Sequence, residues 1–200
     1  MTDTSVQDRR TAIDVAARVL TEIGAPWVIN MVTSMVIGVA VDAPGWGAFV
    51  AVCTGVVPMA VILFGMRRSR IGDHHVTQIS ERHLLIVVLL VVALGGLVVQ
   101  ILAHAPIEMI AFMSAGLVAL MVAAVITSIF HWKVSVHTGV SAGVTVVLAL
   151  AVSPWWLLAL VFTPLVGWSR VHLGDHTKGQ VVVGAIAGAV AAGLTYALIA

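Results

Sequence analysis

Residues 84–103, LLIVVLLVVALGGLVVQILA, run without a single charge. At 1.5 Å per residue a helix of about 20 residues crosses the ~30 Å hydrocarbon core of a bilayer, so this stretch is long enough to span one. It is not alone. Uncharged apolar stretches recur along the chain, and the spans expected from them are 23–41, 46–66, 84–103, 107–130, 135–152, 155–168 and 181–199. The overall balance of 60% apolar and 10% charged residues among 200 fits a chain that stays in the membrane and excludes an ordinary soluble core. The fifth and sixth spans are short, and the pair reads as a tilted or partly submerged hairpin turning at Ser153 and Pro154. Turn residues also separate the other pairs, at Asp42-Ala-Pro-Gly and at His104-Ala-Pro.

Ahead of the first span, Val6, Ile13, Ala17 and Leu20 recur at helical spacing while Arg9, Arg10, Asp14 and Arg18 take other faces. A short amphipathic helix on the membrane surface is expected. The fold class is therefore all-α: a polytopic membrane helical bundle of six or seven transmembrane helices plus an N-terminal amphipathic helix. Residues 1–22 form the amphipathic segment and 23–200 a single transmembrane domain. The amino-terminal residues lack the continuous apolar stretch of a signal peptide, so no cleavage is expected. Cys53 is the one cysteine and lies in an apolar run, where it packs. A net charge of +1 gives no argument for nucleic acid.

The position of the charges says more than their sum. With seven spans, Arg9, Arg10, Arg18, Arg67, Arg68, Arg70, Arg82, Lys133, Arg170 and Lys178 all fall on one side of the bilayer. The positive-inside rule places that side in the cytoplasm, with the protein in the cell inner (plasma) membrane. His74, His75, His83, His131, His137, His172 and His176 share the face, and only His104 is opposite. Three polar segments, 67–83, 131–137 and 168–180, thus leave the membrane where they can converge. Arg170 and His176 flank the turn into the last span, Ser135 and His137 open another, and His75 and Arg82 precede a third. Helix amino termini carry unpaired N–H groups and positive partial charge, so a pocket built from them suits a phosphate.

These residues resemble the three motifs of the type-2 phosphatidic acid phosphatase family of membrane lipid phosphatases. The family has lysine, six residues, arginine-proline; then proline-serine-glycine-histidine; then serine-arginine, five residues, histidine, three residues, aspartate. SRVHLGDHTKGQ matches the third with Ser169, Arg170 and His176, and places Gln180 at the aspartate. VSVH resembles the second, keeping Ser135 and His137 with Val134 and Val136 in place of proline and glycine. HVTQISERH resembles the first, with Arg82 kept, His75 at the lysine position and His83 at the proline. The resemblance covers residues 75 to 180 in the family's order.

The resemblance implies a membrane enzyme that removes phosphate from a lipid alcohol, phosphatidate-like or a polyprenyl mono- or diphosphate, without cofactor or metal. His176 would be the nucleophile, giving a phosphohistidine. His75, Arg82, Ser135 and Arg170 would hold the phosphoryl oxygens, the arginines with planar donor forks. His137 would protonate the leaving alcohol and then activate water. Gln180 takes the place of the aspartate that orients the nucleophile; it can accept the ring's hydrogen bond but adds no charge, which implies lower activity. Asp73, Asp175 or Glu81 could supply the missing carboxylate. Lys133 is a candidate to replace the cation lost at His75. Partners expected are the lipid phosphate and the bilayer.

Two further classes compete: a phosphotransferase in which another alcohol captures the phosphohistidine, and a lipid-binding or transport protein that keeps the clamp without turnover. A histidine metal site also competes, since His172 and His176 stand one helical turn apart, although the chain lacks the usual paired-ligand spacings. Elsewhere, Gly184, Gly188 and Ala192 recur every four residues, the pattern of closely packed membrane helices. Trp155 and Trp156 read as interfacial anchors, with Trp27 and Trp46 as further candidates. Asn30, Gln100 and Glu108 are polar within or beside spans, where burial between helices is the expected reason.

Overall fold

The computed structural model describes residues 4–67 and 79–200, with side-chain surroundings given for 11–64 and 87–200. Every regular element among them is helical: α1 (Thr4–Ile23), α2 (Pro26–Ala40), α3 (Pro44–Ala51), α4 (Val57–Arg67), α5 (Ile79–Leu102), α6 (Ile107–Ile129), α7 (Val136–Ala151), α8 (Phe162–His172) and α9 (Lys178–Ile199). Among the described residues, three continuous helical stretches are long and apolar enough to cross a membrane: Pro44–Phe64, Ile107–Ile129 and Lys178–Ile199. A fourth arises if Thr11–Ile23 and Pro26–Ala40, which meet at a 46° bend, are taken as one span. Val136–Ala151 is a shorter apolar helix, and Val87–Leu102 is the apolar part of the 24-residue α5 whose side-chain surroundings are described.

Local chemistry explains the breaks. The bend between α1 and α2 falls at Gly24-Ala25-Pro26, where proline takes the first position of the new helix and its missing N–H costs nothing. Between α3 and α4 the chain widens into a π-helical stretch, Val52–Val56. Pro58 follows after one residue, Val57, and a proline there cannot donate to the Thr54 carbonyl one turn back. Beyond α7, Pro154 starts a 3-10 stretch, Pro154–Val161, that leads directly into α8. Three helices end with a non-glycine residue in the left-handed region: Asp42 after α2, His104 after α5 and His131 after α6.

Polarity is turned inside out relative to a water-soluble fold. Thr33, Ser34, Gln100, Thr127, Thr138, Ser141, Thr145 and Thr163 are buried, while Val39, Val91, Leu158, Leu194 and Leu198 point outward. Such a surface is stable against lipid and unstable against water. The interior core joins Ile37, Val50, Met109, Phe112, Val147 and Tyr196 from α2, α3, α6, α7 and α9. The tightest seam lies between α7 and α9. A Cβ added to Gly184 would press on the Ser135 carbonyl, and one added to Gly188 would press on Gly139, while one added to Gly143 would lie 3.0 Å from the Gly188 carbonyl. The small-residue repeat of α9 is therefore an internal packing face, as its spacing suggests. The seam positions the site, because it locks the starts of α7 and α9 together.

Candidate functional site

The stretch from Ser169 to Gln180 folds as two helix ends joined by one turn. Leu173 closes α8, and Gly174 follows at φ +77°, a conformation that glycine adopts without strain. The Gly174 N–H donates to the Val171 carbonyl at 3.1 Å and the Asp175 N–H to the Arg170 carbonyl at 3.0 Å, the paired bonds of a glycine-terminated helix. The His176 N–H reaches the same Arg170 carbonyl at 3.2 Å. The chain thus doubles back. Asp175 now lies over the end of α8, and its carboxylate makes a 3.1 Å ion pair with the Arg170 guanidinium.

The next helix begins at once. Thr177 caps α9: its hydroxyl accepts from the Gln180 N–H at 3.3 Å, while the Gln180 side-chain oxygen accepts from the Thr177 N–H at 3.0 Å. This reciprocal pair is a capping box, and T-K-G-Q is its sequence signature. The same Gln180 oxygen lies 3.1 Å from Nδ1 of His176. Because the Thr177 N–H requires an acceptor, the amide must present oxygen there, and a neutral His176 ring must then carry its proton on Nδ1. Nε2 is left with the lone pair. Gln180 therefore does two jobs, capping the helix and setting the histidine tautomer.

The second segment docks against this turn. Ser135 caps α7, its hydroxyl accepting from the Thr138 N–H at 3.5 Å. The Ser135 N–H donates to the Gln180 carbonyl at 3.2 Å, and the Thr138 hydroxyl donates to the Val181 carbonyl at 2.8 Å. Lys133 donates from Nζ to the Asp175 carbonyl at 2.8 Å. Residues 133–138 and 169–181 are thereby stitched together, with the amino ends of α7 and α9 side by side. Both ends direct first-turn N–H groups and positive partial charge to one place. Arg170 is fully buried, and Ser135, His137 and His176 nearly so.

Ser135, His137, Arg170, His176, Gln180 and Lys133 thus fall in one neighbourhood. His75 lies outside the described residues, and Arg82 occupies the first turn of α5 with its side chain outside them. The lysine proposed to offset the loss at His75 spends one donor on the Asp175 backbone. His172 stacks on Trp168 and bonds Asp14 of α1 at 2.7 Å, tying the amphipathic helix to α8. Deeper on the same contact, the Thr21 and Ser169 hydroxyls lie 2.9 Å apart. Among the described residues, no three histidine, cysteine or acidic side chains come close enough to hold a metal ion.

Sequence reasoning missed Thr177, Thr138 and the true place of Asp175. The capping box was legible, since threonine three residues ahead of glutamine is a recognised start signal. The Thr138 bond was not, because it joins residues 43 apart in the chain. The sequence offers Asp175 as a carboxylate for the histidine, whereas in the structure its ion pair is with Arg170. Comparisons with protein-family models, with curated proteins and with solved structures returned no match.

Proposed function

We propose that this chain is an integral membrane lipid phosphatase related to the type-2 phosphatidic acid phosphatases, acting through a phosphohistidine. The observation that carries this reading is the joining of two motif segments, far apart in sequence, by the Ser135 N–H to Gln180 carbonyl bond. That bond sets a buried arginine, a tautomer-fixed histidine and two helix amino termini around one site. Nε2 of His176 attacks phosphorus in line, the bond from phosphorus to the ester oxygen breaks, and His137 gives the leaving alkoxide its proton. His137, now neutral, takes a proton from water; the hydroxide attacks phosphorus, the P–N bond breaks, and phosphate departs. Arg170, Ser135 and the first-turn amides of α7 hold the equatorial oxygens, with Arg82 and His75 from the first motif completing the clamp.

The passes in this reading are α2, α3 with α4, α5, α6, α7, Pro154–His172, and α9. The sixth combines 3-10 and α turns, and at ~2.0 Å per 3-10 residue and ~1.5 Å per α residue its contour is about 32 Å, enough for a ~30 Å core, whereas α2 with 15 residues and α7 with 16 are shorter. Seven passes put the site on the side of the amino terminus, in the cytoplasm of a plasma-membrane protein. Substrates are then lipid alcohol phosphates of the inner leaflet. A second reading, phosphate binding without turnover, is favoured by one feature: Gln180 holds the His176 ring without the charge that would stabilise an imidazolium.

Phosphate release tests the proposal. Purified protein in detergent with chelator present is offered phosphatidate, phosphatidylglycerophosphate and prenyl mono- and diphosphates, beside His176→Ala. Release that survives chelation and disappears in the variant is expected; unchanged release in His176→Ala removes the nucleophile. Binding with no turnover on any substrate favours the second reading, and product that appears only with an added acceptor alcohol identifies a transferase.

A further inference from the structure

Ser135 and His137 face two ways. They belong to the polar site, and they also line a cavity of about 260 Å³ that extends into the bundle between α2, α4, α5, α6, α7 and α9. Its lining is otherwise mostly apolar. Thr127, in the last turn of α6, adds a hydroxyl at the same end as Ser135 and His137, while Phe112, Met113 and Val147 line the far part. The cavity follows α7 from Ser135 to Val147, twelve positions or about 18 Å of helix, which is more than half of a ~30 Å hydrocarbon core. Arg170 and His176 are not part of its lining. A phosphate site thus stands at the mouth of an apolar slot about one leaflet deep.

We propose that this cavity receives one hydrocarbon tail of the phosphorylated substrate, and that the protein prefers phosphates of single-chain lipids to those of two-chain lipids. The inference rests on the phosphatase reading and adds the substrate class to it. Volume decides the number of tails. An apolar cavity of ~150 Å³ takes one benzene, so this one holds on the order of ten carbon-sized groups. That is one chain. Apolar cavities of this kind stay dry and take apolar guests, and the slot runs directly from the residues that would hold the headgroup. Another apolar groove, between α6 and α9, faces outward through Ile186, Val190 and Leu194 and is lined by neither Ser135 nor His137, so a second chain would stay in the bilayer, with the headgroup drawn toward it.

Gly116 provides the test. It lines the cavity, and a Cβ built on it meets nothing within 4 Å, so Gly116→Phe can start a bulky side chain at the lining without its Cβ striking backbone. Gly95 has equally open surroundings but lies on the exposed face of α5, outside the lining, and Gly95→Phe serves as control. A dodecyl phosphate carrying a diazirine at the chain end is photolysed with the full-length protein in nanodiscs, and adducts are mapped by mass spectrometry. Saturable adducts on Phe112, Met113 or Val147 are expected, competed at least ten-fold better by decyl phosphate than by diacyl phosphatidate. They should fall about ten-fold in Gly116→Phe and persist in Gly95→Phe. Adducts confined to outward residues such as Leu165 and Leu194, equal competition by the two lipids, or full labelling of Gly116→Phe would overturn the proposal. Labelling needs no turnover. Cavity adducts without phosphate release on any substrate would leave the tail site standing and remove only the phosphatase reading.

Discussion

The guanidinium of Arg170, wholly buried at the end of α8, lies 3.1 Å from the carboxylate of Asp175, five residues on and across the turn made by Gly174. A buried cation needs an anion, and removing its partner typically costs ~3–5 kcal/mol. The Asp175 side chain is 22% exposed, and in the proposed site a phosphate oxygen would compete with it for the same guanidinium. Replacing Asp175 with asparagine should therefore lower stability and sharpen the response to ligand. The expected result is a lower Tm for Asp175→Asn without ligand, and a larger rise than wild type when phosphate or vanadate is added. Thermal unfolding in detergent checks both; an equal rise in the two proteins would show that the carboxylate does not compete with the anion.

Gln180 offers a gain of function. Glutamate keeps the capping-box geometry with Thr177 and adds a charge about 3 Å from His176 Nδ1. A carboxylate favours the imidazolium, so the transition state for attack is stabilised and the ring also binds its proton more tightly. Under the proposed mechanism, in which the attacking histidine must be neutral, Gln180→Glu should raise kcat by about ten-fold and move the acid limb of kcat/KM to higher pH by about one unit. A pH–rate profile of the two proteins decides it. A lower kcat with an unmoved limb would separate Gln180 from the nucleophile.

The seam between α7 and α9 depends on the absence of side chains. Gly188→Val places its Cβ against the Gly139 backbone, which cannot move aside as a flexible side chain could. Overpacking usually costs ~1–3 kcal/mol, and backbone contact puts this variant at the upper end or beyond. The loss should appear as a lower Tm together with loss of turnover, since the same seam aligns Ser135 with Gln180. Gly95→Ala, in open surroundings, is expected to leave both within error.

His104 is held at φ +55° after α5, on the end of the bundle away from the site. A left-handed non-glycine residue costs roughly 1–2 kcal/mol, against a glycine entropy penalty of about 0.5–1 kcal/mol. His104→Gly should therefore stabilise the protein by a few tenths to about 1 kcal/mol without changing phosphate release. Thermal unfolding and turnover, measured together, test this. A lower Tm would mean that the His104 side chain contributes more than its backbone loses.

Sidedness has its own measurement. With Cys53→Ala as background, a cysteine at the exposed Lys178 position is expected to resist a membrane-impermeant thiol reagent in intact cells and to react once the cells are opened. Labelling in intact cells would place the site outside and reverse the orientation.

Much of this protein is written in the chain itself. Apolar runs of about 20 residues dictate membrane helices because a bilayer tolerates no unpaired backbone, and Pro26, Pro44, Gly174 and Thr177 punctuate those runs through properties of single residues. The close face of α9 was legible for the same reason, since a four-residue repeat of small residues is one side of a helix. Which helix would meet it was not. The pairing with Gly139 of α7, the Thr138 bond to Val181, the turning of Asp175 onto Arg170 and the cavity beside Ser135 all join residues whose proximity no local pattern encodes. They arise when helices that each satisfy their own backbone pack by shape, and only that packing decides which polar groups share the interior.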